Sequence, residues 1–251
     1  MPPFENVVAG MMATVAPEQM TCGTRSRTEY CIQTDGIYRE CDFCDDDDDK
    51  KRHPPTFLTD IHEDFNPTWW QSVTMLEDVH TTDVNITVNL GKAYDITYVR
   101  LKFHSPRPAS FGIYKKSRRK PAEEDESPND EWIPWQYYSA TCRDTYNMPD
   151  STSIIQPMDG KTKVNEDRAL CTSDYSDMTP FSGANVAFST LEGRPTAFNF
   201  EYSPELQSWV SATDIRIVLK RLNTFGDEVF GSDKVLRSYY FAITDFTVGG
   251  R

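Results

Sequence analysis

The residues best suited to bind a ligand or an ion lie in one stretch, residues 57–72, which reads FLTDIHEDFNPTWWQS. Asp60, Glu63 and Asp64 bring three carboxylates into this turn-rich segment. Such hard oxygen ligands suit calcium better than a softer metal. The competing interpretation is an acidic loop that faces solvent and is anchored by aromatic residues in the core. Residue types alone leave both interpretations open.

The same stretch ends in two adjacent tryptophans, Trp69 and Trp70. Successive side chains of an extended chain point to opposite sides, so the two indoles cannot share one face. We therefore predict that one indole enters the core. The other should lie at the surface or under a neighbouring loop.

The elements that position this stretch are predicted to be β-strands. Apolar and polar residues alternate from Val84 to Leu90, where Gly91 ends the pattern, and again from Ile96 to His104. Further strands are predicted at 111–115, 132–138, 185–190, 213–222 and 239–248, with a short helix at 204–210. Proline-rich turns and the near absence of amphipathic helices predict an all-β sandwich or barrel.

A length of 251 residues is normal for one large β domain. We expect residues 1–56 to form an irregular cysteine-rich cap and residues 57–251 to form the β-sandwich. Two long insertions are expected within it, at 116–131 and 143–184. The first has a basic block followed by an acidic one, a composition typical of an exposed loop. Residues 45–50 form another charge block, which also resembles an enteropeptidase recognition sequence.

Composition argues against several classes of function. The net charge of −13 is unlike that of a nucleic-acid-binding domain, which usually carries a basic face. No apolar run approaches the roughly 20 residues of a membrane span. The sequence also lacks a glycine-rich phosphate loop, HExxH and GxSxG, so we do not expect an enzyme.

The cysteines favour an oxidised, secreted domain, because their number is even and a glycosylation sequon begins at Asn85. The six cysteines are Cys22, Cys31, Cys41, Cys44, Cys142 and Cys171. The first four allow 3 pairings, which the sequence leaves open. Cys142 and Cys171 are then the natural remaining pair. A zinc site at the CxxC of Cys41 and Cys44 would need a second pair of ligands at metal spacing.

The N-terminus has no signal-peptide pattern, so a secreted origin implies a processed chain or a fragment.

A series of collinear motifs resembles the laminin N-terminal domain, with the gamma chain as the nearest likeness. The motifs are TCGT, CDFC, FLTD, TWWQS, LGKAYDITYVRLKFHSPRP, WIPWQYYS, ALCT, NVAFSTLEGRP, WVSATDIRIVLKRLNTFGDEVF and DFTVGGR, and they extend over nearly the whole chain. The related netrins typically have a cysteine where Trp69 stands and another where His104 stands. Both cysteines are absent here, which favours laminin over netrin.

The resemblance implies a jelly-roll β-sandwich with a disulfide-clipped N-terminal cap, secreted into the basement membrane at the tip of a laminin short arm. It implies calcium-dependent assembly with the N-terminal domains of laminin alpha and beta chains, and EGF-like repeats that follow in the same chain. It implies neither an enzyme nor insertion into a membrane. The alternative is a netrin-like guidance ligand that binds a cell-surface receptor.

The resemblance also implies particular site residues. The calcium ligands would be the Phe57 carbonyl, Asp60, Thr68 and Thr244, with Glu63 and Asp64 as extra ligands or as solvent-facing charges. The loop at 180–185, PFSGAN, matches a partner-binding loop of the alpha and beta chains. The candidate partner contacts are Gln71, Ser72, Phe181, Ser182, Gly183 and Asn185.

Overall fold

The computed structural model describes residues 5–32, 40–61, 67–77, 83–117, 131–157 and 164–251. Its strands are β1 (Glu5–Asn6), β2 (Ala13–Ala16), β3 (Thr28–Cys31), β4 (Cys41–Cys44), β5 (Trp70–Gln71), β6 (Val84–Phe103), β7 (Ser110–Lys116), β8 (Ile133–Ser139), β9 (Leu170–Thr172), β10 (Asn185–Ser189), β11 (Ser211–Arg221) and β12 (Ala242–Gly250). The α-helices are α1 (Cys142–Tyr146), α2 (Pro204–Val210), α3 (Asp227–Phe230) and α4 (Asp233–Leu236). Short 3-10 helices cover Glu18–Met20, Pro55–Leu58 and Ala197–Tyr202.

Two sheets share β6 and form the sandwich. One sheet has the order β1–β12–β6–β10, with β5 also on β12, and the other has the order β2–β6–β11–β7–β8–β9. The pairs within these sheets are antiparallel, except that β8 and β9 run parallel. The predicted all-β sandwich is therefore confirmed, as is the short helix at 204–210.

The long strand β6 corrects the expected boundary at Gly91. The sequence predicts two strands separated there, whereas the structure has one continuous strand of 20 residues. Gly91 has a φ of +74°, a conformation that glycine adopts without steric cost. The chain changes direction at this residue and remains hydrogen-bonded on both sides of it. Residues 84–89 pair with β2 and β11, and residues 96–103 pair with β10 and β12.

Two segments that the sequence analysis expected to be irregular contain short strands. Within residues 1–56, β1 and β2 join the two main sheets, and β3 pairs with β4 as a separate ribbon. Within 143–184, β9 extends the second sheet. These strands have only two to four residues, too few for an alternating pattern to be recognised.

The sandwich has two ends that differ in character. At the upper end β6 and β11 finish and β7, β10 and β12 begin, as the pairs Phe103↔Ile243, Lys102↔Asn185 and Ser110↔Arg221 show. The lower end contains the turn at Gly91, the 3-10 helix Ala197–Tyr202 and α2. The upper end therefore gathers the loops 104–109, 173–184 and 222–241.

Large aromatic side chains fill the space between the sheets. The fully buried ones are Trp70, Trp135, Trp209, Phe103, Phe111, Phe241 and Phe246. Burying a side chain of this size contributes roughly 1.5–3 kcal/mol relative to exposure. This packing gives the loops a rigid base. Within the described part of the chain, no helix combines the length and apolar character that crossing a membrane requires.

Candidate functional site

The FLTD segment is fixed by backbone contacts to the N-terminal strands. Pro54 and Pro55 start the 3-10 helix Pro55–Leu58, where the fixed φ of proline is favourable. The carbonyl of Thr59 then accepts a hydrogen bond from the Gly10 amide at 2.7 Å, and the Thr59 hydroxyl donates to the Met11 carbonyl. These bonds place Asp60 at a defined position beside the sandwich.

The implied calcium ligands lie in one region. The Thr68 hydroxyl donates to Oδ2 of Asp60 over 2.7 Å. Thr244 is buried in β12, one residue beyond the pair Ile243↔Trp70, so it lies beside the chain that carries Thr68. The same strand contacts the 3-10 helix that contains Phe57. The pairing of β5 with β12 thus brings the expected ligands at 57–68 close to Thr244, the expected ligand near the C-terminus.

The chemistry of these donors fits a hard cation. The set consists of one carboxylate and neutral hydroxyl and carbonyl oxygens, which is typical of a calcium site of modest affinity. The described residues contain no group of three or more His, Cys, Asp or Glu side chains that could hold a metal ion. Glu63 and Asp64 lie outside the described residues. Calcium binding itself stays a prediction.

The two tryptophans occupy different environments, as predicted. Trp70 is fully buried, and its indole N–H donates to Oγ1 of Thr21 over 3.0 Å. Trp69 is only partly buried and lies stacked between two imidazoles. Its ring centroid is 4.2 Å from that of His53 and 4.0 Å from that of His104. The two positions at which netrins carry cysteines are therefore in direct contact here, as a tryptophan–histidine stack.

Burial disfavours the charged form of both stacked histidines. It lowers the pKa of His53 to about 4 and lowers the pKa of His104 as well. Protonation of either ring would place a charge between apolar groups, and each ring would then disfavour the charge on the other. No described residue forms a hydrogen bond to Nδ1 of His53. The stack thus joins Trp69, just before β5, to His104, just after the upper end of β6.

The structure does not support two of the expected partner contacts. The side chains of Gln71 and Ser72 have an exposed fraction of 0%, because they lie where β5 is covered by β12 and the N-terminal segment. The Ser72 hydroxyl accepts a hydrogen bond from the Phe241 amide, and Gln71 accepts one from the Trp69 indole. Both residues hold the core together and have no surface to offer a partner.

The loop at 180–185 is placed at the upper end with an exposed tip. Ser182, Gly183 and Asn185 are exposed, whereas Phe181 is half-buried and packs against the core. Gly183 has a φ of +73°, and its amide donates to the Phe103 carbonyl over 2.8 Å. The turn is thereby anchored on β6. Its role in partner binding stays a prediction.

Neighbouring loops are tied to this turn by side-chain hydrogen bonds. Arg107 donates to the carbonyls of Asp177 and Thr179, at 3.3 and 2.8 Å. The Asn223 amide donates to the Ser176 carbonyl over 2.8 Å. The loops 104–109, 173–184 and 222–226 therefore form one continuous surface. The exposed apolar residues of that surface, at 225–230, were not singled out from the sequence. Their position just after the end of a predicted strand could have indicated that they lie in an exposed loop.

Three disulfides join the cysteines in pairs: Cys22–Cys44, Cys31–Cys41 and Cys142–Cys171. The two cysteines of the CxxC belong to different disulfides, which rules out the zinc alternative for them. Asn85 of the sequon is half-buried, and β6 pairs it with Ala16 of β2 and Val218 of β11. Glycosylation of Asn85 stays a prediction.

The lower end contains two buried cations that are saturated by the protein itself. Nζ of Lys115 donates to the carbonyls of Ser208, Trp209 and Ser211 at 2.6, 2.6 and 2.9 Å. Burial nevertheless lowers the pKa of Lys115 to about 7. Arg194 donates to three backbone carbonyls, those of Glu166, Arg168 and Thr190, and burial lowers its pKa to about 10. These groups close the fold and leave little capacity for an external ligand.

Comparison with known proteins identifies the family. Residues 1–250 match the model of the Laminin N-terminal (Domain VI) family. The chain is 51% identical over 254 residues to laminin subunit gamma-1 of Homo sapiens and 48% identical over 254 residues to laminin subunit gamma-3 of Mus musculus. Each alignment covers 100% of this chain and 15% of the relative, so the chain spans a small part of these proteins. This chain belongs to the laminin N-terminal (domain VI) family, whose members are non-enzymatic structural modules of secreted basement-membrane proteins.

Proposed function

We propose that this chain assembles with the N-terminal domains of laminin alpha and beta chains, in a calcium-dependent manner, to form a node of the basement-membrane polymer. The observation that carries the proposal is the contact of Asp60 with Thr68 beside the buried Thr244. These oxygen atoms would form the calcium site, where the FLTD segment, the tryptophan pair and the last strand meet.

Calcium would act here as a clamp. Its binding would join the loop before β5 to β12, whose first residues begin at the upper end. A ligand that binds the native state but not the unfolded state stabilises the native state by mass action. A fixed base for the upper loops would also lower the conformational entropy lost when a partner binds.

The stack of Trp69 on His104 favours a laminin role over a netrin-like guidance role. The stack fills the place at which two netrin cysteines are expected, with the rings 4.0 Å apart. Both cysteine positions are therefore replaced together, by two aromatic rings that stack on each other. The identity of the relatives is consistent with this, since both are laminin gamma chains.

Sedimentation of mixtures tests the assembly. The 251-residue chain is mixed with purified N-terminal domains of a laminin alpha and a laminin beta chain, with millimolar calcium or with a chelator. We expect a heterotypic complex that forms with calcium and dissociates with the chelator. Absence of any mixed complex in calcium would contradict the proposal.

The variant Asp60→Asn tests the calcium site separately. Asparagine keeps the shape of the side chain and an acceptor for Thr68 but removes the charge. We expect calcium to raise the Tm of the unaltered chain and to leave the Tm of the variant unchanged. Asp46→Asn, in the exposed acidic run, is the matched control and should respond like the unaltered chain. An equal calcium response of Asp60→Asn would show that the ion binds elsewhere.

A further inference from the structure

One row of paired residues crosses the second sheet from the sequon asparagine to an aromatic cluster. Asn85 of β6 pairs with Val218 of β11. Val218 pairs in turn with Gly112 of β7, and Gly112 pairs with Tyr137 of β8. Neighbouring strands lie about 4.8 Å apart, so the row extends roughly 14 Å from Asn85 to Tyr137.

This row lies on the outer face of the sheet. The adjacent row on the same three strands consists of Ile86, Ile217 and Ile113, which pair with one another and belong to the hydrophobic core. Successive side chains of a strand point to opposite faces, so the row that begins at Asn85 points away from the core. A sugar attached to Asn85 would therefore start on the outer face.

Three tyrosines form an aromatic platform at the far end of the row. Tyr114, Tyr137 and Tyr146 are all partly exposed. The rings of Tyr137 and Tyr146 are stacked with centroids 4.1 Å apart, and Tyr114 meets Tyr137 edge-on at 5.8 Å. A Cβ at Gly112 would lie 3.0 Å from a ring carbon of Tyr114 and 3.1 Å from one of Tyr137. The rings therefore lie low over the backbone of β7. We refer to these three rings as the tyrosine platform.

Two cations flank the row. Nε of Arg216 donates to the hydroxyl oxygen of Thr87, the sequon threonine, over 3.0 Å. Nζ of Lys220 donates to the Asp83 carboxylate over 2.8 Å. Arg216 and Lys220 lie two positions before and after Val218, and so share its face of the sheet. A chain of sugars along the row would have N–H donors on both sides and aromatic rings at its end.

We propose that Asn85 carries an N-linked glycan whose sugars follow this row and stack on the tyrosine platform. A pyranose ring has an apolar face of C–H groups, and an aromatic ring removes such a face from water. The contact can be weak and still form, because the covalent bond at Asn85 gives the glycan a high effective concentration at the platform. The glycan is then a built-in cover of the second sheet. This inference does not depend on the proposed function.

The first measurement is the occupancy of Asn85. The 251-residue chain is secreted from mammalian cells that make only high-mannose glycans, and its glycopeptides are identified by mass spectrometry. We expect a glycan at Asn85, the acceptor of the Asn85-Ile86-Thr87 sequon. An unmodified asparagine would overturn the proposal.

The second measurement compares two glycoforms. An endoglycosidase trims the glycan to a single N-acetylglucosamine, which leaves Asn85 substituted but is too short to reach Tyr137. We expect the Tm to be about 2–4 °C higher with the full glycan, a shift of the size that one weak packing interaction gives in a chain of this length. Equal Tm values would show that the glycan projects into solvent.

Tyr137→Ser tests the platform, and Tyr98→Ser is the matched control. The ring of Tyr98 lies over Gly249 in the other sheet, much as the ring of Tyr137 lies over Gly112. Each variant is measured with the full and the trimmed glycan, so the effect of the substitution itself cancels. The Tm difference between glycoforms should disappear in Tyr137→Ser and persist in Tyr98→Ser. An undiminished difference in Tyr137→Ser would refute stacking on the platform.

Nuclear magnetic resonance of a glycan labelled with carbon-13 gives a readout that needs no substitution. Protons that lie over an aromatic ring are shifted upfield. We expect upfield shifts for sugars beyond the first, relative to the same glycan on a glycopeptide cut from the chain. Identical shifts in the folded chain and the glycopeptide would contradict the proposal.

Discussion

The two ends of the sandwich differ in how far their buried polar groups are paired within the chain. At the lower end the buried cations Lys115 and Arg194 each donate to three backbone carbonyls, and Trp209 lies against both. At the upper end two phenylalanines and a valine face solvent, and Nδ1 of His53 has no partner among the described residues. Exposed apolar side chains occur at the lower end too, at Phe198 and Tyr202, so the ends differ in their buried polar groups: those named at the lower end are paired within the chain, whereas a buried nitrogen at the upper end is not.

This difference predicts which measurable property, stability or assembly, depends on each end. Groups that complete each other inside the chain stabilise the fold, and their loss should appear in the free energy of unfolding. Groups that are exposed or unsatisfied while the backbone around them is fixed are available for a ligand or partner. The lower end should consequently be sensitive in stability measurements and the upper end in assembly measurements.

The largest effect is expected from Lys115→Met. The replacement leaves the Ser208 carbonyl without its donor, at a residue that is 2% exposed. The carbonyls of Trp209 and Ser211 lose one donor each but keep the Trp135 indole and the Ser117 hydroxyl. We expect the free energy of unfolding to fall by about 3 kcal/mol, because one unsatisfied buried acceptor costs roughly 1–3 kcal/mol and the loss of one hydrogen bond at each of the other two carbonyls adds to it. Urea unfolding measures this.

The control for that variant is Lys102→Met, an exposed lysine on β6. It should change the stability by less than about 0.5 kcal/mol. Assembly with the partner domains should be retained by Lys115→Met at a temperature where it is folded. Loss of assembly without loss of stability would contradict the division between the two ends.

A smaller effect, at the upper end, is expected from pH. The folded pKa of His53 is about 4 and its ordinary value is 6.5, so between these values the unfolded chain binds more protons than the folded chain. Acidification from pH 6.5 towards 4 should therefore lower the free energy of unfolding, by up to about 3 kcal/mol from this residue. Urea unfolding over that pH range is the measurement.

The variant His53→Phe separates the histidine from other acidic groups. It keeps a ring against Trp69 and removes the titration, so its stability should fall less on acidification than that of the unaltered chain. Part of the dependence should persist because the pKa of His104 is also lowered by burial. Identical pH profiles would show that His53 is not buried as a neutral ring.

The smallest effect is expected from Gly183→Ala in the turn of the 180–185 loop. A Cβ there has no atom within 4 Å, so the only cost is the positive φ of +73°. We expect a loss of about 1 kcal/mol, and a smaller loss for Gly183→Asn, because asparagine tolerates this conformation better. Thermal unfolding of both variants gives the ranking. Equal stability of alanine and glycine would mean that the loop takes another conformation.

Much of the fold could be predicted because alternation is a local signal. The strands within 84–103, 185–190 and 213–222 follow it, and the adjacent tryptophans separate as the geometry of a strand requires. The change of sheet at Gly91 could not be predicted, since it depends on which strands lie beside β6. The pairing of the first four cysteines likewise depends on how the ribbon of β3 and β4 sits against the sandwich.

The site shows both the value and the limit of local patterns. Lys115 follows Phe111 and Ile113 at a period of two, so alternation places it inside, whereas its charge suggests the surface. Only the carbonyls of α2, distant in sequence, make its burial possible. Gln71 and Ser72 were expected at a partner surface from the resemblance to the family, but β12 covers them. Burial by distant segments is invisible to spacing.

The most direct test of the account is hydrogen exchange of the 251-residue chain in calcium, alone and with the alpha and beta N-terminal domains. The account predicts new protection of backbone amides at 176–184 on the upper end, and unchanged exchange at 197–203 on the lower end. Protection confined to the lower end, with residues 176–184 exchanging as in the free chain, would contradict it.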